Sequence, residues 1–266
     1  MTAGRPRIGG IDYDDLGEGY RRTRVPDTRI ARLIDDALGD AASVVNVGAG
    51  TGAYEPSTRD VVAVDPSAAM IAARPATAAP AVQASAESLP FANDSFDAAL
   101  GVLTMHHWSD VPRGLAEMRR VARRRVVLLT WDPDFDDALW LTLHYVPRIR
   151  KRDRAVFPSL QLLGAALGEL RVSPVPIPHD CSDGFLGAWW RRPEAYLDPK
   201  VRAGISGFAR IDPAETAEAI ERLCLDLETD EWDRRFGYLR ELEEIDLGYR
   251  LVIAELGAGH PDPRVK

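Results

Sequence analysis

A glycine-rich loop between two short apolar runs is the feature that most restricts the fold of this chain. SVVNV (43–47) leads into the loop GAGTG (48–52), and DVVAVD (60–65) follows it. Nucleotide-binding α/β proteins have this arrangement: a strand, a glycine loop, and a second strand with an acid at its end. The backbone of such a loop approaches the ligand closely because glycine carries no side chain. The sequence therefore predicts a ligand site at this loop.

The short distance from the loop to the second strand limits which ligand fits. The loop matches the dinucleotide pattern G-x-G-x-x-G/A, but only residues 53–59 precede the next strand, and Pro56 lies in their middle. A pyrophosphate needs the aligned peptides of a full helix, whose N-terminus neutralises its charge. About one helical turn fits here. The spacing favours a zwitterionic ligand beside the glycines, such as S-adenosyl-L-methionine, with its ribose at Asp65.

Further apolar runs predict an alternating α/β fold. Strand-like runs follow at 81–85, 96–103, 124–131, 172–178 and 248–256. Helical stretches at 66–73 and 111–124 lie between them, and an N-terminal helix within 11–40 carries one apolar face, formed by Ile30, Leu33, Ile34, Ala37 and Leu38. Gly39 is the expected end of that helix. Short buried strands that alternate with helices indicate a parallel sheet with right-handed crossovers.

Two long segments interrupt the second half of this pattern. We expect a helical cap over 1–40, a core over 41–181 that contains an insertion at 132–171, a helical lid over 182–245, and a last strand and tail over 246–266. Insertions at such positions usually cover a ligand site.

Composition excludes several classes of protein. The 266 residues are 45% apolar and carry a formal net charge of -8. An acidic balance argues against nucleic acid or an anionic membrane as a partner. Two cysteines form neither a disulfide framework nor a metal site, and no signal-peptide h-region or apolar span is present. We expect a cytoplasmic protein with a small-molecule substrate, no metal and no membrane contact, and the oligomeric state stays open.

Four segments resemble one known family. They are NVGAGTG (46–52), VAVDPS (62–67), ASAESLPFANDSFDAAL (84–100) and LTMHHWSD (103–110), in the family's order and at nearly its spacing. Over about residues 40–132 the chain resembles the class I S-adenosylmethionine-dependent methyltransferases, of the group similar to the ubiquinone and menaquinone biosynthesis enzymes. The resemblance implies a Rossmann-like, mostly parallel seven-stranded sheet with helices on both faces. It also implies S-adenosyl-L-methionine as cofactor and a small acceptor.

The resemblance also implies residue roles. It assigns cofactor contacts to Tyr20, Asn46, Gly48, Ala49, Gly50, Gly52, Asp65, Pro66, Ser85, Ala86, Glu87, Leu103 and Thr104. Tyr13 and Tyr20 lie where the family often has an aromatic residue that closes over the methionine, and we assign Tyr13 to the substrate. Two positions depart from the pattern. Asn46 replaces an acid near the ligand's ammonium group, and Ser85 replaces an aspartate at the adenine edge.

A histidine pair is the leading candidate for proton transfer. His106 and His107 follow the fourth strand, and imidazole titrates near neutrality. In an extended stretch neighbouring side chains point to opposite sides. We therefore expect at most one of the pair to face the acceptor, and the other to pack or to hold the loop. Asp132 is expected to orient a histidine or to bind substrate. Ser109 or Asp110 is the expected N-cap of the next helix.

Aromatic and basic residues in the insertions have two interpretations. An aromatic cover would favour an apolar or aromatic acceptor, and we assign substrate contacts to Trp131, His144, Tyr145 and Trp189. The favoured alternative places most of these aromatic residues, with Trp140, Trp190 and Tyr196, in the core of the insertion. RIRKRDR (148–154) is either a solvated helix face, which is favoured, or a site for a phosphate or carboxylate.

Three functions remain open from the sequence. A small-molecule methyltransferase is the main prediction, with the acceptor and the methylated element undetermined. A protein that binds S-adenosylmethionine without methyl transfer, in a regulatory or rearrangement role, is the alternative. A nicotinamide-dependent oxidoreductase predicts a longer first helix and leaves ASAESLPF (84–91) unexplained.

Overall fold

A twisted sheet at the centre of the fold positions the glycine loop. The computed structural model describes residues 24–136 and 139–257. The seven strands of the sheet are β1 (Ser43–Val47), β2 (Asp60–Asp65), β3 (Ala81–Gln83), β4 (Phe96–Val102), β5 (Ala122–Trp131), β6 (Leu170–Pro174) and β9 (Tyr249–Glu255). They lie in the order β3-β2-β1-β4-β5-β9-β6. Only β9 runs antiparallel to its neighbours among these strands. The predicted Rossmann-like, mostly parallel sheet is confirmed.

Helices and short turns surround the sheet. The α-helices are α1 (Thr28–Leu38), α2 (Ala68–Ala72), α3 (Val111–Val121), α4 (Trp140–His144), α5 (Pro147–Val156), α6 (Leu160–Leu167), α7 (Pro199–Ala203), α8 (Pro213–Glu228) and α9 (Glu231–Phe236). A separate ribbon pairs β7 (Ile177–Pro178) with β8 (Glu244–Ile245). Among the described helices, none is both long enough and apolar enough to cross a membrane.

Both faces of the sheet are buried. Val127 and Leu129 of β5 pack into one core with Ile30 and Ile34 of α1. Val126 and Leu128, which alternate with them, pack into a second core with side chains of α3 and α6. A strand buried on both faces reads as a continuous apolar run, which is the pattern that predicted this sheet.

The first helix has clear sequence signals at both ends. Asp27 is its N-cap and accepts a hydrogen bond from the N–H of Arg29, and Gly39 ends it with a φ of 57°. Its buried side chains are Ile30, Ile34, Ala37 and Leu38. Leu33 was predicted on the same face but is 38% exposed, because it lies at the edge of the apolar stripe.

Two element boundaries differ from the sequence prediction. The helix expected over 111–124 ends at Val121, because Ala122 already pairs with Phe96 at the start of β5. The single strand expected over 172–178 divides into β6 and β7. Pro174 ends the first part, since proline has no N–H to donate to a ladder.

The two sequence insertions share an aromatic core. Trp140 packs edge-to-face on Trp232 and Tyr196, with ring centroids 5.3 and 5.6 Å away. Its indole N–H donates to the carbonyl oxygen of Trp190 over 2.8 Å. Trp140, Trp190 and Tyr196 are buried, so the core interpretation is correct for these residues.

Candidate active site

The glycine loop adopts a backbone that other residues rarely adopt. Gly48, Gly50 and Gly52 have φ values of 72°, 51° and 95°. The N–H groups of Gly48 and Ala49 both donate to the carbonyl oxygen of Val64, over 2.8 and 3.0 Å. The loop is therefore held against β2. No α-helix forms between this loop and β2, which agrees with the short spacing in the sequence.

Two of these glycines differ in what surrounds their α-carbons. A β-carbon on Gly48 would lie 2.8 Å from the Cβ of Thr104, whereas one on Gly50 would have no atom within 4 Å. Gly48 is thus required by packing against the end of β4. Gly50 faces open space, which leaves room for a ligand against the backbone.

Asp65 links the loop to the end of β2. One carboxylate oxygen accepts from the N–H of Gly50 over 2.7 Å, and the other accepts from the N–H of Ser67 over 2.9 Å. Burial raises the pKa of Asp65, and these two N–H groups and Arg74 act in the opposite direction. Each oxygen keeps a further lone pair, so the carboxylate can still accept from ribose hydroxyls.

A buried ion pair beside the loop was not found from the sequence. Arg74 donates to both carboxylate oxygens of Glu55, each over 2.7 Å, and to the carbonyl oxygen of Gly50 over 3.1 Å. The Asn46 amide donates to Glu55 over 3.2 Å. A carboxylate therefore lies beside Asn46, where the family usually has an acid. Glu55 is close to the loop in sequence, but nothing local to Arg74 indicated its partner.

The segment assigned to the adenine edge is tied to α3. The carboxylate of Glu87 accepts from the backbone N–H groups of Ser109 and Asp110 and from the Ser109 hydroxyl. Burial would raise the pKa of Glu87, but these hydrogen bonds lower it below its usual value. Ala86 is buried and Ser85 half-buried beside it. The carbonyl of Pro66 accepts from the Gln83 amide at the neighbouring strand end.

The turn after β4 separates the glycine loop from a cavity. Leu103 has a left-handed backbone with a φ of 47°, and its N–H donates to Leu129 over 2.8 Å. Thr104 is buried and accepts from the Trp108 indole. Asp110 accepts from the N–H of Arg113, so its predicted role as N-cap of α3 is confirmed.

Both histidines face the cavity, which corrects the expectation that only one would do so. Met105–His107 forms a 3₁₀ turn rather than an extended stretch, so successive side chains do not alternate between two sides. The rings of His106 and His107 lie 3.8 Å apart, and His106 stacks on Phe157 at 4.1 Å. The Nδ1 atom of His106 is buried and has no hydrogen-bond partner among the described residues.

The environment keeps both imidazoles neutral. Burial is the main cause that lowers the pKa of His106 well below its usual value and that of His107 to about 3. The charges of Arg152 and Arg210 add to this effect. A neutral imidazole can accept a proton, although a low pKa makes it a weak base.

The cavity has the lining of a small-molecule site, with apolar walls and a few polar groups. The turn that carries Leu103, His106 and His107 forms one wall. Its apolar walls include Trp131, Leu139, Phe157, Phe185 and Leu247. Arg150 and Asp153 bring charge to the wall from α5.

Of the four aromatic residues that were predicted to contact substrate in the insertions, one lines this cavity. Trp131 lines it and donates its indole N–H to Leu247 over 2.9 Å. His144 is exposed beside Phe236, Tyr145 is buried with its hydroxyl donating to Asp226, and Trp189 lies under the Arg192 guanidinium. None of these three lines the cavity, so a substrate contact does not fit their positions.

Asp132 and the N-terminal tyrosines complete the predicted site residues. One carboxylate oxygen of Asp132 accepts from the N–H of Asp134, two residues further along. Asp132 does not line the cavity, so its predicted role next to a histidine does not fit this position. Tyr13 and Tyr20 lie outside the described residues.

The basic run 148–154 is only partly a solvated face. Arg148 is 66% exposed and pairs with Glu215, whereas Arg150 and Asp153, three residues apart on one helix face, line the cavity. Burial raises the pKa of Asp153 to about 6, against the opposing charges of Arg152 and Arg210. Asp153 is a functional candidate that sequence reasoning missed, because the run was interpreted by its charge rather than by its helical face.

Comparisons with known proteins agree with this geometry. A family model described as a methyltransferase domain matches residues 45–130. The crystal structure of a putative methyltransferase from an antibiotic biosynthesis pathway of Anabaena variabilis is 34% identical. It superposes with a TM-score of 0.83 over 88% of this chain and 100% of that chain. The YcgJ protein of Bacillus subtilis has the same fold, with 22% identity and a TM-score of 0.54 over 87% of this chain and 99% of that one.

Curated relatives match a smaller part. An uncharacterized protein of Methanocaldococcus jannaschii is 29% identical over 133 residues, which is 48% of this chain and 53% of the relative. This chain spans about half the length of the curated relatives that it matches. Together, the domain match, the relative from Anabaena variabilis and the loop geometry place the chain: it belongs to the class I S-adenosylmethionine-dependent methyltransferases of the type 11 group.

Proposed function

We propose that this chain transfers the methyl group of S-adenosylmethionine to a small acceptor bound in the cavity beside His106 and His107. One observation carries the proposal. Thr104 packs against Gly48 of the glycine loop. Its sequence neighbours line the cavity: Leu103 precedes Thr104, and His106 and His107 follow it. A single turn of chain thus adjoins both the cofactor loop and the cavity. An acceptor in the cavity would lie next to the loop that holds the cofactor.

The residues present fit the cofactor. The open space at Gly50 would receive its methionine part, and the carboxylate of Asp65 would accept from its ribose. When bound, S-adenosylmethionine supplies an activated methyl group on a sulfonium. The protein's task is then to orient the acceptor and to exclude water. The apolar cavity walls at Phe157, Phe185 and Leu247 serve the second purpose.

Proton removal depends on the acceptor. A hydroxyl, a protonated amine or a carbon acid would need a base, whereas an acceptor that is already nucleophilic would not. His106 is the group placed to take a proton, because its Nδ1 has no described partner. Asp153 is a second candidate, since it lines the same cavity and has a pKa of about 6.

The segment predicted as a lid contributes to the cavity. Phe185 and residues 204–207 belong to the proposed lid over 182–245, and they form part of the wall. We propose that this lid limits access of water to the acceptor. Limited proteolysis should cut it more slowly when S-adenosylhomocysteine is bound, and equal cutting with and without the ligand would contradict a mobile lid.

Binding and turnover test the function separately. Titration calorimetry should give a dissociation constant for S-adenosylhomocysteine of about 1 μM or tighter, near -8 kcal/mol, and no comparable binding of NAD. Asp65→Ala should weaken this binding by about 1.5–3 kcal/mol. Asp60→Ala, at the exposed start of the same strand, is the matched control.

Methyl transfer itself requires labelled cofactor. Incubation of the full chain with labelled S-adenosylmethionine and a panel of phenols, amines and carboxylates should yield a labelled product. Cofactor binding with no transfer to any of them would favour a binding protein of the same fold. Absence of cofactor binding would remove the proposal altogether.

A further inference from the structure

The wall of the acceptor cavity carries uncompensated positive charge. Among the described lining residues the cations are Arg24 and Arg150, and Asp153 is the only carboxylate. Arg24 is already neutralised, because its guanidinium binds both carboxylate oxygens of the buried Asp183 over 2.6 and 3.1 Å. Arg150 therefore determines what else the wall can bind.

The contacts of Arg150 leave its charge unpaired among the described residues. Its Nη2 donates to a neutral group, the carbonyl oxygen of Asp136, over 3.2 Å. Its Nε is buried and has no described hydrogen-bond partner. Salt bridges tie other arginines of the same helix to the surface: Arg148 binds Glu215, and Arg154 binds Asp136.

The neighbouring ion pair does not cancel this charge. Arg152 donates to Asp153 over 3.3 Å, and its Nη2 is buried without a described partner. The guanidinium groups of Arg150 and Arg152 thus lie on α5 with a single carboxylate, that of Asp153, at the cavity wall. A buried guanidinium nitrogen without a hydrogen-bond partner is costly. The planar fork of a guanidinium fits the oxygens of a carboxylate or a phosphate.

We infer that the acceptor carries an oxyanion, a carboxylate or a phosphate, which Arg150 binds at the cavity wall. The stacked rings of His106 and Phe157 would hold its apolar body. The inference rests on one part of the proposed function, which is that the acceptor binds in this cavity. It narrows the acceptors to acidic molecules with an apolar part, and it excludes amines that lack an acidic group.

Ligand-observed saturation-transfer NMR and calorimetry on the full chain with S-adenosylhomocysteine bound test this inference. The probes are phenylacetate, its neutral isostere phenylacetamide, the cationic phenethylamine and phenyl phosphate. We expect an acid to bind about tenfold tighter than the amide, the scale of one charge-assisted hydrogen bond, and the amine to bind most weakly. The order of phenylacetate and phenyl phosphate identifies the oxyanion.

Variants on one helix locate the site. Arg150→Gln should abolish the preference for the acid, Arg150→Lys should keep part of it, and Arg148→Gln on the exposed face should leave it unchanged. If Arg150→Gln does not fold, the order of probe affinities for the wild-type chain and for Arg150→Lys still tests whether Arg150 binds an oxyanion. The inference is wrong if no acid gives saturation transfer, if the amide or amine binds as tightly, or if a folded Arg150→Gln keeps the preference. Binding of S-adenosylhomocysteine in the same samples reports separately on the proposed function.

Discussion

Tyr54 donates a hydrogen bond to Asp183 over 2.9 Å, although 129 residues separate them. Tyr54 lies two residues after the glycine loop and has a left-handed backbone with a φ of 61°. Asp183 lies between β7 and α7, is fully buried, and also binds Arg24. The contact therefore joins the glycine loop to a segment that contributes to the cavity wall.

Removal of this hydroxyl should destabilise the fold. Tyr54→Phe leaves one oxygen of the buried Asp183 carboxylate short of a donor, so the free energy of unfolding should fall by about 1–3 kcal/mol. Urea denaturation measures it. Tyr238→Phe, at a side chain that is 66% exposed, is the control and should change stability by less than about 0.5 kcal/mol. Equal stability of Tyr54→Phe and the wild type would contradict a structural role for the contact.

The two loop glycines should separate folding from binding. Gly48→Ala and Gly50→Ala both place a β-carbon on a left-handed backbone, which costs about 1–2 kcal/mol. Only Gly48→Ala also meets Thr104, and overpacking adds about 1–3 kcal/mol to its loss of stability. Urea denaturation of both variants measures this difference.

Gly50→Ala should instead weaken cofactor binding. Its new methyl group enters the open space proposed for the ligand, so affinity for S-adenosylhomocysteine should fall at least about tenfold, or 1.4 kcal/mol. Calorimetry on the folded variant measures this change. Wild-type affinity would show that the ligand does not approach the loop at Gly50.

Local sequence patterns were sufficient for the sheet and the loop. A strand buried on both faces reads as a continuous apolar run, and a left-handed loop backbone requires glycine, so both features are visible in consecutive residues. The N-cap at Asp110 was predictable for the same reason. The histidine turn was not, because His106 and His107 give no signal that distinguishes a 3₁₀ turn from an extended stretch.

Contacts distant in sequence explain the remaining errors. Arg74 binds the carboxylate of Glu55 and the carbonyl oxygen of Gly50, which lie about twenty residues earlier in the chain. No helical or strand periodicity in the sequence predicts a contact over that separation. The run 148–154 was interpreted by its average charge, although helical spacing places Arg150 and Asp153 on one face. Which face is buried depends on the cavity, and the cavity is formed by segments from both halves of the chain.

The histidine pair should make the fold sensitive to acid. The pKa of His107 is about 3 in the folded protein against 6.5 in the reference state, because of burial and the charges of Arg210, Arg152 and Arg24. Between these values the unfolded chain binds more protons, so stability falls as pH decreases from 6.5 towards 3. Urea denaturation at about pH 5 and about pH 7 should show a slope of up to about 1.4 kcal/mol per pH unit from this group.

Substitution tests the source of that slope. His107→Gln should flatten the pH dependence, and the double variant His106→Gln with His107→Gln should flatten it further, since burial lowers the pKa of both groups. A double variant with the wild-type slope would mean that other groups cause the acid sensitivity.

Asp153 should have the opposite pH dependence. Burial raises its pKa from 3.8 to about 6 in the folded protein, so the folded chain binds more protons between these values, and stability falls as pH rises through this range. Asp153→Asn is neutral at every pH. It should match the wild type at about pH 4 and exceed it by about 1–3 kcal/mol at about pH 7 in urea denaturation.

An exposed aspartate provides the control for this last comparison. Asp134→Asn changes a surface carboxyl and should alter stability by less than about 0.5 kcal/mol. If Asp153→Asn is instead less stable than the wild type at neutral pH, the ion pair with Arg152 stabilises the fold by more than the burial of the carboxylate destabilises it. The pKa of Asp153 would then lie closer to 3.8 than to 6. A carboxylate with such a pKa accepts a proton only weakly, and His106 would remain the group placed to act as base.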